Sequence, residues 1–138
     1  MKTLYTAQVV VSSGRDGQAR SSDGVLALPL GFPRELGGSG SATNPEQLFA
    51  AGYAACFAST LKAVAVQQQL KPGPVRIEAE ATLAVDEQGR YRIPQVRLRI
   101  HELGVGAASA ALIEAAKQVC AYTNATRGQV EALIEVLS

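Results

Sequence analysis

The run Thr43-Asn44-Pro45-Glu46-Gln47-Leu48-Phe49-Ala50-Ala51-Gly52-Tyr53-Ala54-Ala55-Cys56-Phe57-Ala58-Ser59 constrains everything around it. It opens on a helix start signal: Thr43 or Asn44 can cap, Pro45 suits the first helical position, where its missing N–H costs nothing, and Glu46 favours the positive end of the macrodipole. From Gln47 to Leu61 no residue is charged, and apolar or small side chains fall on every face, the pattern of a helix buried all round. Helix breakers arrive only at Lys71-Pro72-Gly73-Pro74, so the predicted helix runs from Asn44 to Gln69. At ~1.5 Å rise per residue it is about 38 Å long, the width of a whole domain of this size. One sheet can cover only one of its sides. The pattern therefore predicts an obligate homodimer, with the central helices packed against each other or against the other chain's sheet.

Before this helix, Tyr5, Ala7, Val9 and Val11 alternate with Thr6, Gln8 and Val10, the period of a half-buried strand. Asp16-Gly17 is a favoured hairpin dipeptide, which puts Arg15 at a turn; strands resume around Ala19 and, after Asp23-Gly24, at Val25 to Leu28. The segment from Pro29 to Ala42 is glycine-rich and irregular, and it is no phosphate loop, because no Lys-Ser/Thr follows the glycines. Beyond the helix, Val75 to Val85 alternates as a long strand, Asp86 to Gly89 turns, and Tyr91 and Ile93 give way to Val96, Leu98 and Ile100 in shifted register. A bulge near Pro94 is expected, with Arg97, Arg99 and His101 on the outer face. Val105, Ala108, Leu112, Ala115, Ala116 and Val119 predict a second helix from Gly106 to Ala121, and Val130 to Leu137 alternates as a final strand. This order of elements is an α+β fold, helices against an antiparallel sheet.

A chain of 138 residues is the size of one ordinary domain, taken here as residues 1–138. A net charge of +1, from 13 basic and 12 acidic residues, offers no field to attract nucleic acid or anionic lipid. Met1-Lys2 leads into strand-like residues rather than a signal core, and the uncharged run is shorter than the ~18 residues of a membrane span. The chain thus reads as cytoplasmic, with neither nucleic acid nor membrane as partner. Two cysteines are too few for a disulfide framework, and with the one histidine, His101, a structural zinc site is improbable.

Taken singly, Cys56 and Cys120 read as small buried hydrophobes, Arg15 as a solvated turn residue, and Glu46 as a helix-dipole carboxylate. Taken jointly, they read differently. A thiol needs a nearby cation to be a thiolate at neutral pH, and the cation needs orienting. Cysteine, arginine and glutamate supply those roles.

Three blocks then become recognisable: Gly14-Arg15-Asp16-Gly17, the run from Thr43 to Phe57, and Cys120-Ala121-Tyr122-Thr123-Asn124-Ala125-Thr126-Arg127-Gly128. They closely resemble the organic hydroperoxide resistance proteins (Ohr), a branch of the osmotically inducible protein C (OsmC) superfamily, and the resemblance covers essentially the whole chain in order. It implies an OsmC/Ohr-like fold, with antiparallel sheets packed around two central helices in an intertwined homodimer. It also implies a peroxidase that reduces organic hydroperoxides to alcohols, with Cys56 as peroxidatic thiolate, Cys120 as resolving thiol, and Arg15 and Glu46 activating the first. The implied reductant is a dihydrolipoyl group on a lipoylated protein; no metal, haem or other cofactor is required.

One departure stands out. The family's second cysteine is usually followed by proline, which disfavours helical dihedrals in the residue before it. Here Ala121 follows, so the second helix is expected to extend a little further. Glu46 and Cys56 are ten residues apart, about 15 Å along one continuous helix, too far for both to touch a single Arg15 comfortably. The expected sites are therefore composite, Cys56 and Cys120 from one subunit and Glu46, with Arg15, from the other. Phe49, Tyr53 and Phe57 around the thiol favour a greasy peroxide over hydrogen peroxide. Rival readings are a carrier of lipid-like ligands whose cysteines only pack, the broader-specificity sister branch, and a thiol-disulfide isomerase, which the absence of Cys-x-x-Cys disfavours.

Overall fold

The computed structural model describes residues 1–101 and 103–137. The chain forms two compact units, Met1–Leu48 and Phe49–Ser138, with the boundary inside the long helix.

In the first unit, β1 (Val9–Ser12), β2 (Gln18–Ser21) and β3 (Ala27–Pro29) form an antiparallel meander. The expected strand from Tyr5 is paired only from Val9 onward. The β1–β2 turn bends through Ser13 (φ 74°) and Gly14 (φ 114°), and it needs glycine at Gly17, where a Cβ would collide with the Ser12 carbonyl. Arg15 sits in this turn. The glycine-rich segment then runs back to Thr43, whose carbonyl accepts the Gly31 N–H at 2.8 Å, and so delivers the chain to the helix start.

That helix, α1 (Pro45–Gln67), begins where the cap signal places it: Asn44 Oδ1 accepts the Gln47 N–H at 2.9 Å. All-round burial, however, is not achieved within one chain. Tyr53, Phe57, Leu61, Val64 and Ala65 are buried, whereas Ala51, Ala55, Ser59, Lys62, Ala63 and Val66 are exposed. Apart from Lys62, the second set is small or apolar and uncharged, so from Ala51 to Ser59 composition could not separate the two sides. The full helix has 23 residues, and by length and composition alone it could cross a membrane. Its Tyr53–Leu61 side is packed instead into protein core.

In the second unit, β4 (Arg76–Val85) pairs antiparallel with β5 (Tyr91–His101). Thr82 faces Gln95 but Ala84 faces Arg92, so β5 carries one extra residue at Ile93–Pro94, the expected bulge. β6 (Glu131–Leu137) lies on the other side of β5 and runs parallel to it. This corrects the expectation of a wholly antiparallel sheet: the chain leaves β5 and returns through a helical crossover, the connection that parallel neighbours require. The crossover comprises a 3-10 turn at Gly106–Ala108, α2 (Ser109–Val119) and the short α3 (Ala121–Thr126). Val96, Leu98 and Ile100 on β5 are fully buried with Leu112 and Ala116 of α2 and the buried side of α1. On the opposite face Arg99 joins Glu80 at 2.6 Å and Glu135 at 3.1 Å, and His101 lies 3.3 Å from Glu78. The architecture is α+β, with a three-stranded antiparallel sheet in the first unit and a mixed three-stranded sheet in the second.

Candidate active site

The four residues singled out in the sequence fall into two pairs, one in each unit. In the first unit, Arg15 donates to both carboxylate oxygens of Glu46, Nη1 to Oε2 at 2.9 Å and Nη2 to Oε1 at 2.6 Å. The fork-to-carboxylate geometry fixes the guanidinium plane as well as its position. The hairpin turn presents Arg15, and the first turn of α1 presents Glu46. The Arg15 hydrogen bonds hold the Glu46 carboxyl below the usual carboxylate range, against a smaller opposing push from burial. Glu46 is therefore an anion at neutral pH, and Arg15 is oriented by it.

In the second unit, Cys120 Sγ lies 3.5 Å from Cys56 Sγ, and both are free thiols. Cys56 sits in the middle of α1, partly exposed; Cys120 sits between α2 and α3 and is completely buried. Burial pushes the Cys56 thiol up; the backbone N–H groups of Tyr122 and Ala121 pull it down less strongly, and the Cys120 thiol adds to the upward push. The surroundings that the second unit itself supplies favour the thiol over the thiolate. A cation must offset them for Cys56 to act as a nucleophile at neutral pH.

The expected extension of the second helix to Ala121 is not observed. Cys120 is extended, with φ −63° and ψ 127°, although no proline follows it. The turn is held instead by side chains beyond it: Thr123 Oγ1 and Arg127 Nη2 donate to Lys117 O at 2.6 and 3.0 Å, and Asn124 Nδ2 donates to Gln118 O at 3.1 Å.

Reasoning from residue types did not single out Tyr122 and Gly52. The Tyr122 ring packs with Phe49 and Tyr53 at centroid separations of 6.2 and 5.5 Å, and Phe49 meets Tyr53 at 5.9 Å. Its hydroxyl end occupies the space that a Cβ at Gly52 would need. Gly52 and Tyr53 precede Cys56 by about one turn of helix, so the trio forms an aromatic wall beside the thiol. A glycine within an uncharged helical run is the signal that could have found this close approach. Among the described residues, no group of three His, Cys, Asp or Glu side chains is placed to hold a metal ion.

Comparisons with known proteins agree with one another. A family model described as OsmC-like protein matches residues 38–135. The organic hydroperoxide resistance protein of Xanthomonas axonopodis pv. citri is 50% identical over 133 residues, which cover 94% of this chain and 92% of that protein. Bacillus subtilis OhrB is 39% identical over 135 residues, covering 96% of this chain and 98% of its own length. Among solved structures, an organic hydroperoxide resistance protein from Legionella pneumophila superposes with a TM-score of 0.93 at 43% identity, over 99% of this chain and 100% of that one. One from Vibrio cholerae, with captopril bound in one of its active sites, gives 0.93 at 38% identity, over 99% and 94%.

Proposed function

The chain belongs to the OsmC-like family, in its organic hydroperoxide resistance branch, and from that premise we propose that it is a cysteine-based peroxidase that reduces alkyl or fatty-acid hydroperoxides to alcohols in defence against oxidative stress. The observation that carries the reading is the 3.5 Å between Cys56 and Cys120 sulfurs far apart in the chain. In the first step the Cys56 thiolate attacks the distal peroxide oxygen. The S–O bond forms, the O–O bond breaks, and the alkoxide takes a proton to leave as alcohol, with Cys56 now a sulfenic acid. In the second step Cys120 attacks the Cys56 sulfur; the S–S bond forms and water departs. A dithiol then returns two electrons, and a dihydrolipoyl group, free or on a lipoylated protein, is the reductant proposed here, in the cytoplasm.

Arg15 supplies the positive charge that burial of Cys56 demands, and Glu46 orients it. The active unit proposed is a homodimer with composite sites, the thiol pair from one subunit and the Arg15–Glu46 pair from the other. Two features support this: the exposed side of α1 that carries Ala51, Ala55, Ser59, Ala63 and Val66, and a first unit in which Leu4, Tyr5, Val9, Val10 and Val11 all stand exposed in the single chain. The Phe49, Tyr53 and Tyr122 rings favour an apolar substituent on the peroxide.

The test is hydroperoxide consumption by the purified protein with dihydrolipoamide, glutathione or thioredoxin as reductant. Turnover of an alkyl hydroperoxide with dihydrolipoamide alone, lost in Cys56→Ser, is the expected result. A Cys56→Ser protein that consumes peroxide as fast as the unaltered one would overturn the assignment. Comparable turnover of hydrogen peroxide would overturn the proposed specificity.

A further inference from the structure

Cys120 occupies a break between two helices that neither proline nor glycine imposes. α2 ends at Val119, Cys120 is extended, and α3 begins at Ala121. Ending a helix strands its last carbonyls, and each must find a donor elsewhere or keep its water. Here Ala116 O accepts the Cys120 N–H at 2.9 Å, and the next two carbonyls are claimed by side chains from beyond the break. Lys117 O accepts from Thr123 Oγ1 and Arg127 Nη2, and Gln118 O accepts from Asn124 Nδ2. Thr123 Oγ1 also lies 2.9 Å from Cys120 O, so one buried hydroxyl, its single proton shared, spans both sides of the break. Cys120 O in turn accepts the Asn124 N–H at 3.0 Å, which starts α3.

We propose that Thr123, assisted by Asn124 and Arg127, is a positioning residue for the resolving step: together these side chains hold residue 120 out of the helix and keep its sulfur beside that of Cys56. The inference rests on the peroxidase reading. Resolution requires the sulfurs to close from 3.5 Å to the ~2.05 Å of a disulfide. That step competes with a second hydroperoxide, which would carry the Cys56 sulfenic acid on to sulfinic acid. A displacement of ~1 Å in such an approach can cost as much as ~100-fold in rate. A proline after the cysteine would bias residue 120 toward extended dihedrals through its ring. Ala121 has no such ring, and the hydrogen bonds from Thr123, Asn124 and Arg127 do the same work from outside the break.

The test follows one oxidation cycle of the full-length protein, without reductant and with tert-butyl hydroperoxide in excess so that a second equivalent is available, quenched and read by mass spectrometry as Cys56 thiol lost, disulfide formed and sulfinic acid formed. For Thr123→Val, loss of the Cys56 thiol should stay within about twofold of the unaltered protein. Disulfide formation should slow by about tenfold, and sulfinic acid should accumulate. Thr123→Ser, which keeps the hydroxyl, should restore the disulfide rate. Should Thr123→Val fail to fold, the double variant Asn124→Ala with Arg127→Ala, both exposed positions, reads the same partition. An unchanged disulfide rate in the folded variant, or equal slowing of both steps, would overturn the proposal. Cys120→Ser run in parallel separates this from failure of the peroxidase reading: if that variant does not accumulate sulfinic acid, the two-cysteine reaction itself is wrong, and the inference falls with it.

Discussion

The two units of the chain solve opposite problems. In Phe49–Ser138 every member of the core cluster is present, from Tyr53 and Phe57 on α1 to Leu98 on β5 and Leu112 on α2, and the thiol pair is embedded among them. In Met1–Leu48 only Ala19, Leu30 and Asn44 are buried, and the unit's best-defined feature is an ion pair. A three-stranded meander without a core cannot offset the conformational entropy of ordering itself. The core-bearing unit, by contrast, raises the pKa of the cysteine it holds. The difference teaches that one region stabilises the fold at the expense of thiol reactivity, while the other, poor in core, holds an oriented cation, which the proposed function assigns to the thiol.

The comparison breaks most readily at the core. Leu98→Ala, at a fully buried position, should cost about 2–5 kcal/mol in denaturant unfolding. Val10→Ala, at a position 73% exposed in the single chain, should cost less than about 0.5 kcal/mol if nothing covers it. In a dimer that buries β1 the Val10→Ala loss should be larger and should grow on dilution, because association then contributes to the measured stability. Equal losses from the two substitutions at every protein concentration would erase the distinction between the units.

Next in size is the effect of Arg15 on the thiol. Burial favours the protonated form of Cys56, and an opposite charge within ~4–6 Å lowers a pKa by about 1–3 units. Arg15→Ala should therefore slow alkylation of Cys56 at neutral pH by about 10- to 1,000-fold. The rate should recover as pH rises through the elevated thiol pKa, since a raised acid pKa leaves the thiolate scarce until alkaline pH. An alkylation profile that does not move between the two proteins would separate Arg15 from the chemistry.

A smaller effect is expected at Gly52. In an exposed helix interior, Gly→Ala gains about 1 kcal/mol. Here the added methyl meets the hydroxyl end of Tyr122, whose ring is already held by Phe49 and Tyr53, and overpacking costs about 1–3 kcal/mol. The net should be a loss of about 1 kcal/mol with a change in Cys56 alkylation rate, because the Tyr122 backbone N–H favours the thiolate. A stabilised Gly52→Ala protein would show that the Tyr122 ring moves freely, so that the aromatic wall is not a wall.

What could be read in advance divides along local and non-local lines. A cap at Thr43 or Asn44, the start of α1, the bulge near Pro94 and the alternation of Val96, Leu98 and Ile100 were legible, because each depends on residues within a few positions. The parallel course of β6 was not, since strand direction follows from how the crossover returns and alternation is the same either way. Cys120 leaves the helix despite a favourable Ala121, because the donors that satisfy the freed carbonyls lie three to seven residues further on and look like ordinary polar side chains. The pairings Arg15 with Glu46 and Cys56 with Cys120 had chemical logic in the sequence. The Tyr122–Gly52 contact had none, because a missing side chain announces only that something comes close.

The gentlest test concerns the ion pair in the unit that lacks a core. Hydrogen bonds from Arg15 hold the folded-state Glu46 carboxyl below its ordinary range. Its contribution to stability is therefore fully present above the unfolded-state pKa and is lost as pH falls through the lower, folded-state one. Arg15 and Glu46 retain 30% and 15% side-chain exposure, so solvent screening keeps the contribution below about 1 kcal/mol. Acid titration of Glu46→Gln against the unaltered protein should show the two stability curves converging below the ordinary carboxylate range and separating above it. Because glutamine keeps a carbonyl acceptor for one Arg15 N–H, any loss in thiol reactivity should be smaller than that of Arg15→Ala. If Glu46→Gln slowed Cys56 alkylation as much as Arg15→Ala, the carboxylate would be doing more than orienting its arginine, and the division of labour between the ion pair and the thiol pair would have to be redrawn.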